Sequence, residues 1–382
     1  MKFYLFNLIL FVFVPFLYFI QIANSIGYAL SLVTTLSALL IVLISKFKIV
    51  LYRTLLYIYI FYVMYSLILL LFLDDPNYSK YFLSILAIFF ILICADYFAN
   101  SLLVLKINKI IYFFKILFLL LIFMALSNHF IYEDFIFSYD KSIFPNREYS
   151  HFYLHYCFFF LFFAKYYKLP ISMLTLFILL IIFPSLTGLL ILFLISFYYL
   201  KPNFKYLFTL IFLLSLIMFS ILFNYEYYSS RIINFMYNKS ALTYLQGWQY
   251  VIDSILTHPL GIGFQQMSCD NSFLFNDYSF LISQLSNSTD GHQCLDGGFN
   301  LAKLTVELGV LGLIGSLIII KKSVHGFYNT IQNNEINPTL IFNLMLSPIL
   351  IDILFRNAGL LSINLFLFMT GIIGLYKVKQ SK

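Results

Sequence analysis

Residues 204–223 read FKYLFTLIFLLSLIMFSILF, and residues 301–320 read LAKLTVELGVLGLIGSLIII. Each run can cross a bilayer as a helix, because about 20 apolar residues span the hydrocarbon core at a rise of about 1.5 Å per residue. Between the two runs lies a polar segment, residues 224–300. A polar segment between two membrane spans must lie at one membrane face. These three stretches therefore predict an all-α polytopic membrane protein with one large external loop.

The composition of the whole chain supports this prediction. Hydrophobic residues make up 62% of the chain and charged residues 10%, whereas a soluble domain carries roughly 25% charged residues. So few polar groups cannot cover a water-facing surface, and the pattern predicts a single integral membrane domain over residues 1–382. The net charge of +7 does not point to nucleic acid. Because no small-residue cleavage site follows the first apolar run, we expect that run to be a retained span.

The apolar runs predict twelve membrane spans. Pro184 divides the long run 169–200, and the alternative of a single kinked helix there would leave eleven spans. The twelve candidates are 3–23, 26–45, 52–73, 80–98, 109–127, 151–165, 169–183, 185–200, 204–223, 301–320, 339–355 and 358–376.

The basic residues favour twelve spans with both termini in the cytoplasm. In that arrangement 16 of the 23 lysines and arginines lie at the cytoplasmic ends, as the positive-inside rule requires. Eleven spans would turn the basic loop 201–205 outward. The loops 128–150 and 224–300 are then external. The cytoplasmic set is Lys2, Lys46, Lys48, Arg53, Lys106, Lys109, Lys115, Lys165, Lys168, Lys201, Lys205, Lys321, Lys322, Lys377, Lys379 and Lys382.

Arginines in the external loops are candidate anion ligands. Arg147 precedes the sixth predicted span, and Arg231 follows the ninth. Arginine often lies at helix ends near the headgroups, which is the simpler interpretation. The positive-inside bias disfavours external arginines, however, and the planar guanidinium group matches the geometry of phosphate oxygens. We expect this pair to bind a lipid-linked pyrophosphate, with Arg356, near Asp352, as a third candidate.

The segment 240–263 predicts a helix followed by a tight turn. Ser240 can cap the helix, and Pro259 ends it at His258, because the residue before proline avoids helical geometry. Gly261 and Gly263 permit the turn. We expect the helix to lie on the membrane with Trp248 at the headgroups, and His258 is most simply a helix-end residue. The predicted apolar face consists of Leu242, Leu245, Trp248, Ile252 and Ile255.

Carboxylates and one histidine provide candidate general bases. Asp290, His292 and Asp296 occur in a glycine-rich stretch, where they could accept a proton from a sugar hydroxyl or form a solvated turn. Glu307 falls in the tenth span, where a carboxylate is costly and usually functional or paired. The glycines that follow it, Gly309, Gly312 and Gly315, predict close helix packing.

The four cysteines divide between spans and the external loop. Cys94 and Cys157 lie in predicted spans and are expected to be packing residues. Cys269 and Cys294 share the external loop, where a disulfide between them is plausible. The sequence has neither a CxxC nor an HExxH pattern, so we expect no metal site and no cofactor.

The order of Arg231, Trp248, the His258–Gly263 segment and the Glu307–Gly312 segment resembles the O-antigen polymerase and ligase superfamily. Arg231 and Gly247 are separated by fifteen residues, which is similar to an Arg-x15-Gly pattern of some polymerases. The resemblance implies a glycosyltransferase-C-like helical fold in the bacterial inner membrane, with a periplasmic active site. It implies metal-independent glycosyl transfer between two undecaprenyl-pyrophosphate-linked glycans, with membrane lipids and a chain-length regulator protein as partners.

The sequence favours the polymerase branch of this superfamily over the ligase branch. Ligases carry an essential histidine before the tenth-span glycines, and Gly298 stands at that position here. The catalytic base then stays open between His292, Asp296, Asp290 and Glu307. The rival hypotheses are an O-antigen ligase that transfers glycan to lipid A-core, a transporter of lipid-linked oligosaccharide, and a structural or sensory membrane protein.

Overall fold

The computed structural model describes residues 36–41, 52–73, 75–131, 149–167, 171–199, 204–232, 238–267, 277–286, 297–333, 335–356 and 361–380. Every regular element in these ranges is a helix, so the predicted all-α class is confirmed. Three helices there are long and apolar enough to cross a membrane: Arg53–Leu70, Tyr78–Val104 and Asn300–Gln332. The fold is therefore that of a helical membrane protein, and the count of twelve crossings stays a prediction.

The described helices are numbered here in chain order. After a helical stretch at 36–41, they are α1 Arg53–Leu70, α2 Tyr78–Val104, α3 Ile107–Ile131, α4 Tyr149–Tyr166, α5 Ile171–Ile182, α6 Leu186–Ser196 with a 3-10 turn at Phe197–Tyr199, α7 Phe204–Phe223, α8 Tyr225–Ile232, α9 Lys239–Thr257, α10 Asp277–Ser286, α11 Asn300–Gln332, α12 Pro338–Met345, α13 Ile349–Leu354 and α14 Ile363–Gln380.

The predicted break at Pro184 is present. Helices α5 and α6 are separate, and the Tyr153 hydroxyl donates a hydrogen bond of 2.9 Å to the Phe183 carbonyl oxygen at the bend. Gly188 lies directly against the Leu180 side chain, so the chain folds back instead of continuing as one kinked helix. At 12 residues α5 rises only about 18 Å, which is shorter than the hydrocarbon core.

Two predicted spans differ from simple helices. The span predicted at 301–320 is the longer helix α11, which has 33 residues and is interrupted at Gly309. The span predicted at 339–355 is divided into α12 and α13 around Pro348. Proline cannot donate the backbone hydrogen bond of a helix interior, which accounts for the second interruption.

Helix α4 lies at the centre of an aromatic core. Its side chains from Phe158 to Phe163 are almost completely buried. Phe114 of α3 packs edge-on against Phe158 and Phe162, with ring centroids 5.3 and 5.2 Å apart. The predicted packing role of Cys157 and Cys94 is confirmed, since both thiols are buried within their helices.

Glycines allow α12 to pack closely between α11 and α14. A side chain at Gly326 or Gly371 would come within 2.9 or 2.7 Å of Leu346, and one at Gly374 would collide with the Phe342 ring. Small residues at such contacts let helix backbones approach each other. This packing determines where the ends of α11 and α14 lie.

Lysines that the sequence assigns to the cytoplasm gather at one end of the bundle. The Lys377 ammonium lies 2.7 Å from the Asp96 carboxylate. Lys165 donates to a carbonyl in the last turn of α11 at 3.3 Å, and the Lys115 ammonium lies 4.8 Å from the Tyr166 ring centroid. The opposite end of α2, at Asn77, meets the segment after α9. We call the lysine side the basic end, and its assignment to the cytoplasm stays a prediction.

Candidate functional site

The interruption of α11 at Gly309 is the centre of the candidate site. Gly309 has φ +61° and ψ −142°, which is a conformation essentially restricted to glycine. The break leaves backbone groups of the helix without their usual partners one turn away. Inside a membrane protein such groups must be satisfied by other parts of the protein.

The turn after α9, residues 258–263, supplies those partners. The Val310 amide donates to the Pro259 carbonyl oxygen at 2.8 Å, and the Ile262 amide donates to the Val306 carbonyl oxygen at 3.1 Å. The Gly263 amide donates to the Glu307 carbonyl oxygen at 2.9 Å. The segment after α9 therefore completes the backbone hydrogen bonding of the broken helix.

Glycines make this backbone contact possible. A side chain at Gly261 would come within 2.5 Å of the Glu307 carbonyl oxygen, and one at Gly309 would collide with the Pro259 carbonyl oxygen. Gly261 and Gly263 have φ +87° and +93°, so both form the predicted tight turn. Gly315 has no described residue within 4 Å of a Cβ built there, so among the described residues the expectation that all three α11 glycines serve helix packing is wrong.

Two further contacts attach the turn to the start of the bundle. The Tyr65 hydroxyl of α1 donates to the Leu260 carbonyl oxygen at 2.7 Å. The Gln266 carboxamide accepts from the Asn77 amide at 2.7 Å and donates to the Asn77 carbonyl oxygen at 3.3 Å. The turn is thus held by both α1 and α11. Sequence reasoning missed Tyr65 and Gln266, because only the fold brings them to the turn.

Helix α9 begins and ends close to its predicted limits. Its cap is Asn238, whose side chain accepts from the Ser240 and Ala241 amides, and not Ser240 as the sequence suggested. The helix stops before His258, as predicted. The His258 ring lies 2.8 Å from the Thr257 hydroxyl and is exposed, which fits a helix-end residue.

The residues of the predicted apolar face of α9 differ in burial. Leu242 is fully buried, whereas Ile252 is 59% exposed, so only part of this face packs against the protein, and its contact with the membrane stays a prediction. The side that packs on α11 contains Gly247, which fits closely against Phe299 and the Gly297 carbonyl oxygen. Trp248 lies at the edge of this contact, 5.0 Å from the Phe299 ring centroid. Tertiary contacts, and not the bilayer alone, therefore hold α9.

Of the four candidate bases, only Glu307 lies in the part of the chain that the structure describes. Its side chain is fully buried, and its backbone carbonyl oxygen accepts the hydrogen bond from the Gly263 amide at the α11 break. Lys303, one turn earlier on the same helix, is also buried. The Tyr62 hydroxyl of α1 lies within electrostatic range of the Glu307 carboxylate. Glu307 thus belongs to the contact between α1, α11 and the turn.

Tyr250 of α9 borders the same region. It clusters with Ile262, Met267 and Val306, and burial raises the pKa of its hydroxyl to about 12. The hydroxyl therefore stays protonated at neutral pH. Nearby, Gln246 donates to the Ser279 hydroxyl at 2.6 Å, which ties α10 to α9.

Several predicted site residues lie outside the described part of the chain. Arg231 belongs to the last turn of α8, but its side chain is outside the description.

Arg356, by contrast, is described. It follows α13, and its amide donates to the Ile351 carbonyl oxygen at 2.9 Å. The neighbouring Asp352 accepts a hydrogen bond from Ser362. Outside the described residues lie His292, Asp296, Asp290, Arg147, Cys269 and Cys294.

Comparison of the chain with protein families, with curated proteins and with solved structures finds no match. Among the described residues, no group of three or more His, Cys, Asp or Glu side chains could hold a metal ion. The residues at the turn and at the α11 break are therefore what points to a function.

Proposed function

We propose that this protein is an O-antigen polymerase of the inner membrane, acting at the periplasmic face. It would transfer a growing glycan from undecaprenyl pyrophosphate onto a repeat unit carried by a second undecaprenyl pyrophosphate. One observation supports this most: the segments 258–263 and 307–312, which carry the superfamily resemblance, form one hydrogen-bonded unit. Segments far apart in sequence that build one unit are the pattern expected of a site.

The proposed reaction needs two functions from the protein. The leaving group is a lipid pyrophosphate, whose charge Arg231, with Arg147 and Arg356, would stabilise without a metal. A base must take the proton of the attacking hydroxyl. Glu307 is the preferred base because it is buried beside the unit that carries the resemblance. The alternatives are His292, Asp290 and Asp296.

A transporter of lipid-linked oligosaccharide is the second candidate. Its support is the interruption of α11 inside a predicted span, since transporters often place discontinuous helices around their substrates. The buried carboxylates Glu307 and Asp352 also favour a transporter, because carboxylates inside membrane proteins often mark the path of an ion or substrate. The O-antigen ligase is a third candidate and shares the resemblance.

The first test replaces Arg231. We expect Arg231→Ala to abolish the lipopolysaccharide ladder on a gel while the protein still inserts in the membrane. Arg231→Lys should rescue poorly, because an ammonium group cannot form the bidentate contact of guanidinium. Arg53→Ala, at an exposed position at the other end of the predicted topology, is the matched control and should keep the ladder. A normal ladder with Arg231→Ala would remove this residue from the mechanism.

Deletion of the gene separates the candidate functions. Loss of a polymerase leaves lipid A-core that carries a single repeat unit. Loss of a ligase leaves bare core, with lipid-linked polymer accumulating in the periplasm. Loss of a transporter also leaves bare core, but the lipid-linked repeat unit stays at the cytoplasmic face, where periplasmic glycosidases cannot reach it. Either bare-core result would reject the polymerase.

A further inference from the structure

A second buried carboxylate, on α13, has an incomplete set of partners. Asp352 of α13 is fully buried, and its Oδ2 accepts a hydrogen bond of 2.7 Å from the Ser362 hydroxyl. Its Oδ1 has no hydrogen-bond partner among the described residues. The fully buried Asn364 carboxamide lies beside the carboxylate, and neither of its polar atoms has a described partner.

Asp96 of α2 provides an internal comparison. It is nearly as buried as Asp352, but the Lys377 ammonium lies 2.7 Å from its Oδ1. Asn100 donates to its other oxygen at 3.1 Å, so both carboxylate oxygens are satisfied. The protein therefore supplies a positive charge to one of these buried carboxylates, and the described residues supply none to the other.

The other groups that face Asp352 do not supply the missing charge, and Arg356, four residues later, is not among the groups that act on its carboxylate. From the start of α14 come Ser362 and Asn364, which are neutral. From α4 comes the buried Cys157 thiol, whose ionisation would add a second negative charge. Among the described residues of α11, no charged group interacts with the carboxylate. An isolated ionised carboxylate in such surroundings costs far more than a hydrogen bond returns.

We propose that Asp352, with Asn364 and Ser362, binds a monovalent cation inside the helix bundle. A proton would form an O–H bond at Oδ1 and leave a neutral carboxylic acid that can donate to a neighbouring oxygen. A sodium ion would instead be held by the carboxylate, carboxamide and hydroxyl oxygens, which are hard ligands. Either cation neutralises the charge and uses polar atoms that the protein leaves without partners. The site is independent of the proposed glycosyl transfer.

Thermal unfolding of the purified full-length protein in detergent tests the site. The unfolding temperature of the wild type and of Asp352→Asn is measured at about pH 6 and about pH 8, in sodium chloride and in choline chloride. Because a bound cation stabilises only the folded state, the wild type should unfold at least about 3 °C higher where the cation is abundant. Asp352→Asn should fold, and this difference should disappear, because the amide needs no cation.

The pH and salt conditions distinguish a proton from a sodium ion, and the variants can refute the proposal. Dependence on pH alone identifies a proton, and dependence on sodium but not choline identifies a sodium ion. Asp96→Asn is the matched control: it should lower the unfolding temperature by leaving Lys377 without its partner, but keep the cation dependence. The proposal fails if the wild type and Asp352→Asn respond identically to both conditions. It also fails if Asp352→Asn does not accumulate in the membrane, since an amide should replace a neutralised carboxylate.

Discussion

Gly309 and Gly315 lie two turns apart on α11, but they meet different surroundings. Gly309 has a backbone conformation restricted to glycine and contacts the backbone of the turn, whereas no described residue lies against Gly315. Substitution of each glycine by alanine therefore distinguishes the general effect of replacing a glycine in α11 from the specific requirement for glycine at the break.

We expect Gly309→Ala to destabilise the protein by about 2 kcal/mol or more, because the backbone conformation is strained for alanine and the new methyl group collides with Pro259. The measurement is thermal unfolding in detergent, with the lipopolysaccharide ladder as the activity readout. Gly315→Ala is the control and should be neutral or slightly stabilising, because alanine favours helices. Equal effects of the two substitutions would contradict the assigned role of Gly309.

The hydrogen bond from Tyr65 to the turn gives a second prediction at this scale. Tyr65→Phe removes one hydroxyl that donates to the Leu260 carbonyl oxygen, at an expected cost of about 1 kcal/mol. Proteolysis of the turn should accelerate, because α1 then holds it less firmly. Tyr57→Phe on the same helix, where the side chain is 67% exposed, should change neither property. If both variants behave like the wild type, Tyr65 does not anchor the turn.

At the scale of elements, the contact between α2 and α14 depends on a charged group at each helix. Asp96 is nearly buried, Lys377 is partly exposed, and Asn100 hydrogen-bonds to both. Partial exposure weakens an ion pair through solvent screening, so the interaction must be measured as a coupling and not read from the distance.

We expect a double-mutant cycle of Asp96→Asn and Lys377→Met to give a coupling energy of about 1 kcal/mol or more. Each single substitution should lower the unfolding temperature, and the double variant should be more stable than the sum of the two predicts. The physical reason is that each single change leaves a poorly hydrated group without its partner. Strict additivity would mean that the pair contributes no stability.

At the scale of the whole molecule, the contact of Gln266 with Asn77 and the pair of Lys377 with Asp96 lie towards opposite ends of α2. We expect reporter fusions at positions 202 and 382 to give a cytoplasmic signal and those at 140 and 270 a periplasmic signal. The fusions are assayed with alkaline phosphatase, which is active in the periplasm, and with a fluorescent protein that matures in the cytoplasm. A cytoplasmic signal at 270 would reverse the proposed orientation and move the candidate site to the other face.

The sequence by itself determined the helical class, the break at Pro184 and the end of α9 before His258. These features follow from local chemistry: apolar runs of sufficient length, and proline that excludes helical geometry. The sequence also assigned Lys115, Lys165 and Lys377 to the cytoplasmic side, which stays a prediction.

Only the tertiary structure decided that the turn at 258–263 and the glycine at 309 form one unit. No local pattern reveals this, because the hydrogen bonds join backbone groups of residues about fifty positions apart, and any sequence has such groups. The faces of α9 likewise depended on packing against α11. Whether a buried carboxylate has a cationic partner, as Asp96 has in Lys377, also depends on which helices the fold brings together.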